Sequence, residues 1–132
     1  MDCITLTGTV IHGHQLGRRL GYPTANLDPA TLTGELPATG VYAARCLLPD
    51  GGTYWAMVNV GYRPTVTEGS EKELSVEAHL IDYTGDLYGQ ALRLTLLSRI
   101  RDERRMQSLE ELAEQLTLDL KEVRRAAADS PR

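Results

Sequence analysis

The chain has 132 residues, 24% of them charged and 42% apolar, and a formal net charge of −4. That length suits one domain whose hydrophobic core needs no covalent staples, and the acidic balance argues against broad nucleic-acid binding. No apolar run approaches membrane-spanning length, and Met1-Asp2-Cys3 lacks the charged and apolar regions of a signal peptide. Cys3 and Cys46 lie far apart and form no CxxC pair, so both read as buried or free thiols of a cytosolic protein. With six Tyr, one Trp and no Phe, any pocket for a flat ligand must be built mostly from aliphatic, Met and Tyr side chains.

Thr5 to Ile11 is rich in β-branched residues and predicts a strand, with a bulge or a close backbone approach at Gly8. Gly13 to Thr39 has no sustained period and many Gly, Pro and Thr, so it predicts a long functional loop, stiffened at Tyr22-Pro23. Gly40 to Leu48 and Thr53 to Val60 predict a hairpin around the turn Pro49-Asp50-Gly51-Gly52. A second loop follows from Gly61 to Glu73, then a strand from Leu74 to Asp82, a turn at Thr84-Gly85-Asp86 and a last long strand from Ala91 to Ile100. The period then changes. Ser108 to Glu111 forms a capping box, and Leu109, Leu112, Ala113, Leu116, Leu120 and Val123 recur at helical spacing, with fraying expected after Ala128. Several antiparallel strands and one helix predict a mainly β fold: a small Greek-key barrel with the helix packed on its side.

Three segments carry candidate chemistry. The glycines at Gly8, Gly13 and Gly17, with Arg18 and Arg19 alongside, could form an anion nest. Taken alone, a plain glycine-rich connection is the better reading, because the spacing is neither a P-loop nor a Rossmann fingerprint. In Arg18 to Leu27, Pro23 fixes an extended backbone, which puts Thr24 and Asn26 on one side. Their oxygens could hold Mg²⁺ against a phosphate chain, or they could bond the loop's own backbone. In the strand Ser75 to Leu80, Glu77 and His79 share one face and Val76, Ala78 and Leu80 the other. Glu77 either faces water or, in a cleft, serves as a general base. The His12-Gly13-His14 pair lacks further ligands at recognisable spacing and is discounted as a metal site. The basic run Arg99, Arg101, Arg104 and Arg105, interrupted by Asp102 and Glu103, reads mostly as solvated surface.

Five stretches in this order, GTVIHGHQLGRRLGYPTANL, GVYAARC, NVGYRPTV, SVEAHLIDYTGDLYG and IRDERRMQSLEELAEQL, strongly resemble the riboflavin kinase (flavokinase) domain, which occurs alone or as the C-terminal half of bifunctional FAD synthetases. They span nearly the whole chain, from Gly8 to about Asp119. The resemblance implies a six-stranded antiparallel Greek-key barrel with a C-terminal helix. It also implies transfer of the γ-phosphoryl of ATP to the 5′-hydroxyl of riboflavin, giving FMN and ADP with Mg²⁺ as cofactor. It maps the nucleotide to Gly8, Val10, Gly13, Gly17, Arg18, Gly21, Pro23, Thr24 and Asn26, the metal to Thr24 and Asn26, and the catalytic base to Glu77. The flavin maps to the region of Arg101, Glu103, Met106, Ser108 and Leu112. Where the family usually has an aromatic residue this chain has Met106, a softer wall.

The implied organisation is one kinase domain over residues 1–132, with an ordered core of about 4–126 and no adenylyltransferase domain, so the chain is not expected to make FAD. Its expected partners are the small molecules riboflavin and ATP, with no nucleic acid and no membrane, and it is expected to act as a cytoplasmic monomer. The rival readings are a non-catalytic flavin- or nucleotide-binding barrel, against which the presence of Thr24, Asn26 and Glu77 argues, and a small nucleic-acid-binding barrel, which the acidic balance disfavours.

Overall fold

Alternation of side chains decides which face of each strand turns inward. In the computed structural model, which describes residues 4–11, 25–35, 37–64, 72–83, 85–102 and 108–129, seven strands and one long helix follow the chain. They are β1 (Ile4–Ile11), β2 (Ala25–Leu27), β3 (Thr33–Gly34), β4 (Gly40–Leu47), β5 (Thr53–Pro64), β6 (Lys72–Leu80), β7 (Ala91–Arg101) and the helix α1 (Leu109–Asp129). A single 3-10 turn at Pro29–Thr31 lies between β2 and β3, capped by Asp28, whose carboxylate accepts from the Ala30 N–H at 3.0 Å.

The strands are neighbours in the order β2-β6-β5-β4-β7-β1-β3, and β2 also pairs with β1. That extra pairing, Val10 with Leu27 and Ile11 with Asn26, closes six strands into an antiparallel barrel and leaves β3 as a two-residue addition on β1. β4, β5 and β6 run as successive hairpins, and β7 returns to lie beside β4, which is the Greek-key order. The mainly β barrel with its C-terminal helix is therefore the fold expected from the sequence.

Three boundaries differ from expectation. The segment 13–39 is not a continuous loop, because β2, the 3-10 turn and β3 lie within it. Pieces of two or three residues have no period of their own, and their pairing with β1 and β6 defines them. β5 runs on to Pro64 and β6 begins at Lys72, so the second loop is shorter than its composition suggested. Gly8 marks a close approach and not a bulge. The β1–β7 pairing is unbroken from Ile4↔Leu96 to Thr9↔Ala91, and a Cβ on Gly8 would sit 3.1 Å from Leu32 Cδ2 and 3.4 Å from Leu27 Cβ.

The hairpin turn forms as its residues demand. Gly51 has φ +93°, a left-handed conformation that glycine adopts without cost, and the Asp50 carboxylate accepts from the Gly52 N–H at 2.8 Å. The helix start is equally local: the Ser108 hydroxyl accepts from the Glu111 N–H at 3.0 Å, as the capping box predicts. The helix runs to Asp129, one residue past the expected fray.

Two apolar clusters result. Leu6, Val10, Leu27, Val58, Val60, Val76, Ala78, Leu92 and Leu94 fill the barrel interior. With no Phe available, Tyr rings serve there: Tyr42 is buried in the interior and its hydroxyl donates to the Ala38 carbonyl at 2.6 Å, while the partly buried Tyr54 and Tyr83 pack against the same cluster. On the outside, Val123 of α1 is fully buried against Val41, Ala43, Met57 and Ile81, with Leu116 and Leu120 alongside. Burying such an aliphatic side chain contributes about 1.5–3 kcal/mol, so the helical period seals the outer face of β4 and β5.

Cys46 is completely buried in the interior, and burial pushes its thiol from 9.0 up to about 12. Below pH 9 the thiol is neutral whether the chain is folded or not; as pH climbs from about 9 toward 12 only the unfolded chain ionises, so stability falls. In a Cys3→Ser background, a disulfide reagent at pH 8 is expected to label Cys46 only as fast as the protein unfolds. Rapid stoichiometric labelling of the native protein would contradict this packing.

Candidate active site

The barrel brings five positions on five strands into one row across its outer face. In β2, Ala25 and Leu27 point into the interior cluster, so Asn26 between them points out. By the same alternation Glu77 points out between Val76 and Ala78, and Asn59 points out between Val58 and Val60. The registers are direct: Asn26 pairs with Glu77, Glu77 pairs with Asn59, Asn59 pairs with Val41, and Val41 pairs with Arg101. Residues directly opposite in antiparallel strands share a face, with Cβ atoms about 4.5–5.5 Å apart. A carboxylate therefore stands between two carboxamides, one on each side.

The two carboxamides share an uncommon property. Asn26 is only 3% exposed, and its Oδ1 has no hydrogen-bond partner. Asn59 Oδ1 is also buried without a partner. A buried acceptor left unsatisfied costs about 1–3 kcal/mol, and such atoms in a folded protein call for a ligand, an ion or an ordered water. The alternative in which Asn26 bonds its own loop is not what its oxygen does. An unpaired amide oxygen beside a carboxylate is a hard-oxygen donor set and fits a small divalent cation. Glu77 itself is half-buried at the centre of the row.

Beyond Asn59 the row turns apolar at Val41, which is 2% exposed and part of the cluster under α1. Arg101, at the end of β7, makes a paired contact with Asp119 of α1: Nε at 2.8 Å and Nη2 at 2.7 Å from the two carboxylate oxygens. Asp119 is 1% exposed and also accepts from Gln115 Nε2 at 3.0 Å. The guanidinium thus fastens the helix to the barrel at the apolar end of the row.

The other expected site residues divide between those the structure describes and those it does not. Gly8 and Val10 belong to the barrel wall, with the Val10 side chain inside and its backbone groups bonded to Gln90 and Gly89. Ser108 is exposed and occupied with its helix cap. Gly13, Gly17, Arg18, Gly21, Pro23, Thr24, Glu103 and Met106 lie outside the described residues, as does the side chain of Leu112. Asn59 was not among the residues singled out from the sequence. The available signal was a lone amide on the outward face of a strand whose neighbours there are Trp55 and Met57.

A family model described as Flavokinase: Riboflavin kinase matches residues 2–127. The chain belongs to the flavokinase family. The match covers the described barrel and all but the last two residues of its helix, so the row of Asn26, Glu77 and Asn59 lies within a flavokinase domain. Among curated relatives, the bifunctional riboflavin kinase/FMN adenylyltransferase of Bacillus subtilis (strain 168) is 38% identical over 118 residues, 89% of this chain and 37% of the relative. The RNA-binding riboflavin kinase RibR of the same strain is 40% identical over 115 residues, 87% of this chain and 47% of the relative. The flavokinase chain thus spans less than half the length of either relative. The crystal structure of riboflavin kinase from Trypanosoma brucei superposes with a TM-score of 0.65 at 23% identity, covering 98% of this chain and 82% of that one, and shares the fold.

Proposed function

We propose that this flavokinase transfers the γ-phosphoryl of ATP to the 5′-hydroxyl of riboflavin, releasing FMN and ADP. The observation that carries the reading is the register of Asn26 with Glu77, which sets a buried, unpartnered amide oxygen beside a half-buried carboxylate. Phosphoryl transfer asks the protein mainly for positioning and charge stabilisation, with one group to receive the hydroxyl proton. Glu77 receives that proton on a side-chain oxygen as the oxygen–phosphorus bond forms. Asn26, together with Thr24 two residues earlier, would hold Mg²⁺, which supplies charge neutralisation to the phosphates when bound. The glycine loop with Gly13, Gly17, Arg18, Gly21 and Pro23 would carry the nucleotide. The segment with Glu103, Met106, Ser108 and Leu112 would cover the flavin at the apolar end of the row. Arg101 would act there through its hold on α1.

Incubation with riboflavin, ATP and Mg²⁺ tests this directly. Chromatography should show FMN accumulating with equimolar ADP; absence of FMN would overturn the reading. Asn26→Ala should raise the Mg²⁺ concentration needed for half-maximal rate by at least about tenfold, since even groups that only orient metal ligands are worth about 10–100-fold in metal affinity. Excess Mg²⁺ should partly restore the rate, and riboflavin binding should change little. An unchanged Mg²⁺ dependence would remove Asn26 from the metal.

We read the protein as a cytoplasmic monomer acting on small molecules, with no nucleic-acid or membrane partner. No helix among the described residues is long and apolar enough to cross a membrane. One relative is named RNA-binding, so a salt titration of RNA affinity is the relevant check: a phosphate-contacting surface gives a steep slope.

A further inference from the structure

The reading above gives Asn59 no role, yet its amide oxygen is as unsatisfied as that of Asn26. Two strand spacings, roughly 10 Å between backbones, separate Asn59 from Asn26, and Glu77 stands between them in register. Asn59 therefore lies on the side of the base away from the metal end of the row. The next position after it is Val41, in the apolar cluster under α1. Across four strands the surface thus passes from a buried amide oxygen to a carboxylate, to a second amide oxygen and then to an apolar wall.

On the kinase reading, the reactants present their groups in that same order: phosphate with its cation, the hydroxyl that is phosphorylated, the rest of the polyol chain, and the flat ring. A carbonyl-type oxygen only accepts hydrogen bonds, so Asn59 Oδ1 needs a donor. At this point of the row, the donor that fits is a polyol hydroxyl. We propose that Asn59 is the residue that recognises the polyol of the acceptor. Its Oδ1 accepts a hydrogen bond from a ribityl hydroxyl neighbouring the one that is phosphorylated, which sets the 5′-hydroxyl against Glu77. This inference rests on the riboflavin kinase reading and adds a substrate-positioning residue to it.

Two flavins separate polyol recognition from ring binding. Riboflavin carries the ribityl chain; lumiflavin has the same ring with a methyl group in its place. Flavin fluorescence titrations in the presence of Mg²⁺ and ADP would be run on the wild type, Asn59→Leu and Asn59→Ser. Asn59→Leu keeps approximate volume without an acceptor and should weaken riboflavin binding about tenfold, the value of one hydrogen bond, while leaving lumiflavin binding unchanged. Asn59→Ser, which keeps a shorter oxygen, should fall between. In steady state the riboflavin KM should rise with the ATP KM unaltered. Should Asn59→Leu fail to fold, the ratio of riboflavin to lumiflavin affinity in Asn59→Ser decides, since a small polar residue is tolerated at a half-buried strand position. An equal loss for both flavins, or no loss for either, would overturn the role of Asn59 while leaving the kinase reading intact. A wild type that binds neither flavin and forms no FMN would overturn the kinase reading itself, and the role of Asn59 with it.

Discussion

Glu77→Gln is expected to slow FMN formation by about 10²–10⁴-fold, the usual worth of a general base, which corresponds to about 3–5 kcal/mol of barrier. The change is nearly isosteric, and Glu77 lies on the outer face of β6, so the interior formed by Val76 and Ala78 is untouched and the melting temperature should hold. An amide at the same position can still bond the substrate hydroxyl but cannot take its proton. Riboflavin affinity should accordingly stay near wild type while the single-turnover rate collapses. A variant that turns over at close to the wild-type rate would exclude Glu77 from proton transfer. One that loses riboflavin binding in parallel with rate would show a role in holding the substrate instead.

Local signals were legible in the sequence, and non-local ones were not. The Ser108 cap and the Asp50–Gly52 turn depend on residues two or three apart, and both form as read. The strands around the hairpin follow from alternation, and their inward faces make the barrel core. β2 is only three residues long, and nothing in Ala25-Asn26-Leu27 declares a strand; closure of the barrel between β1 and β6 makes it one. That closure also decides the chemistry at Asn26. From the residues alone its oxygen could as well have bonded its own loop, and only the tertiary pairing places it unpartnered beside Glu77. Asn59 was missed for a related reason. A polar side chain on the outer face of a strand ordinarily meets water, and the burial of its oxygen depends on groups distant in the chain. Within the basic run, Arg99 is exposed as a solvated reading implies, and Arg101 departs from it because its partner Asp119 is 18 residues on, across a change from strand to helix.

That partner gives the largest expected effect on stability. Asp119 is a carboxylate with 1% exposure, and Arg101 satisfies both of its oxygens, at 2.8 and 2.7 Å. Removing one member of a buried pair leaves an uncompensated charge and typically costs about 3–5 kcal/mol, although replacing both members by apolar groups is often neutral. Arg101→Met should therefore destabilise the protein by about that amount in urea unfolding. The double variant Arg101→Met/Asp119→Leu should recover most of the loss. The pair also bears on flavin binding, because Arg101 is opposite Val41 at the apolar end of the row and holds α1 over it. If the guanidinium acts by seating the helix, the single variant loses riboflavin affinity and the double variant regains it together with stability. If it touches the flavin directly, stability returns in the double variant and affinity does not. Urea unfolding and riboflavin titration on the same three proteins distinguish these outcomes, and a single variant as stable as wild type would show that Asp119 does not need its partner.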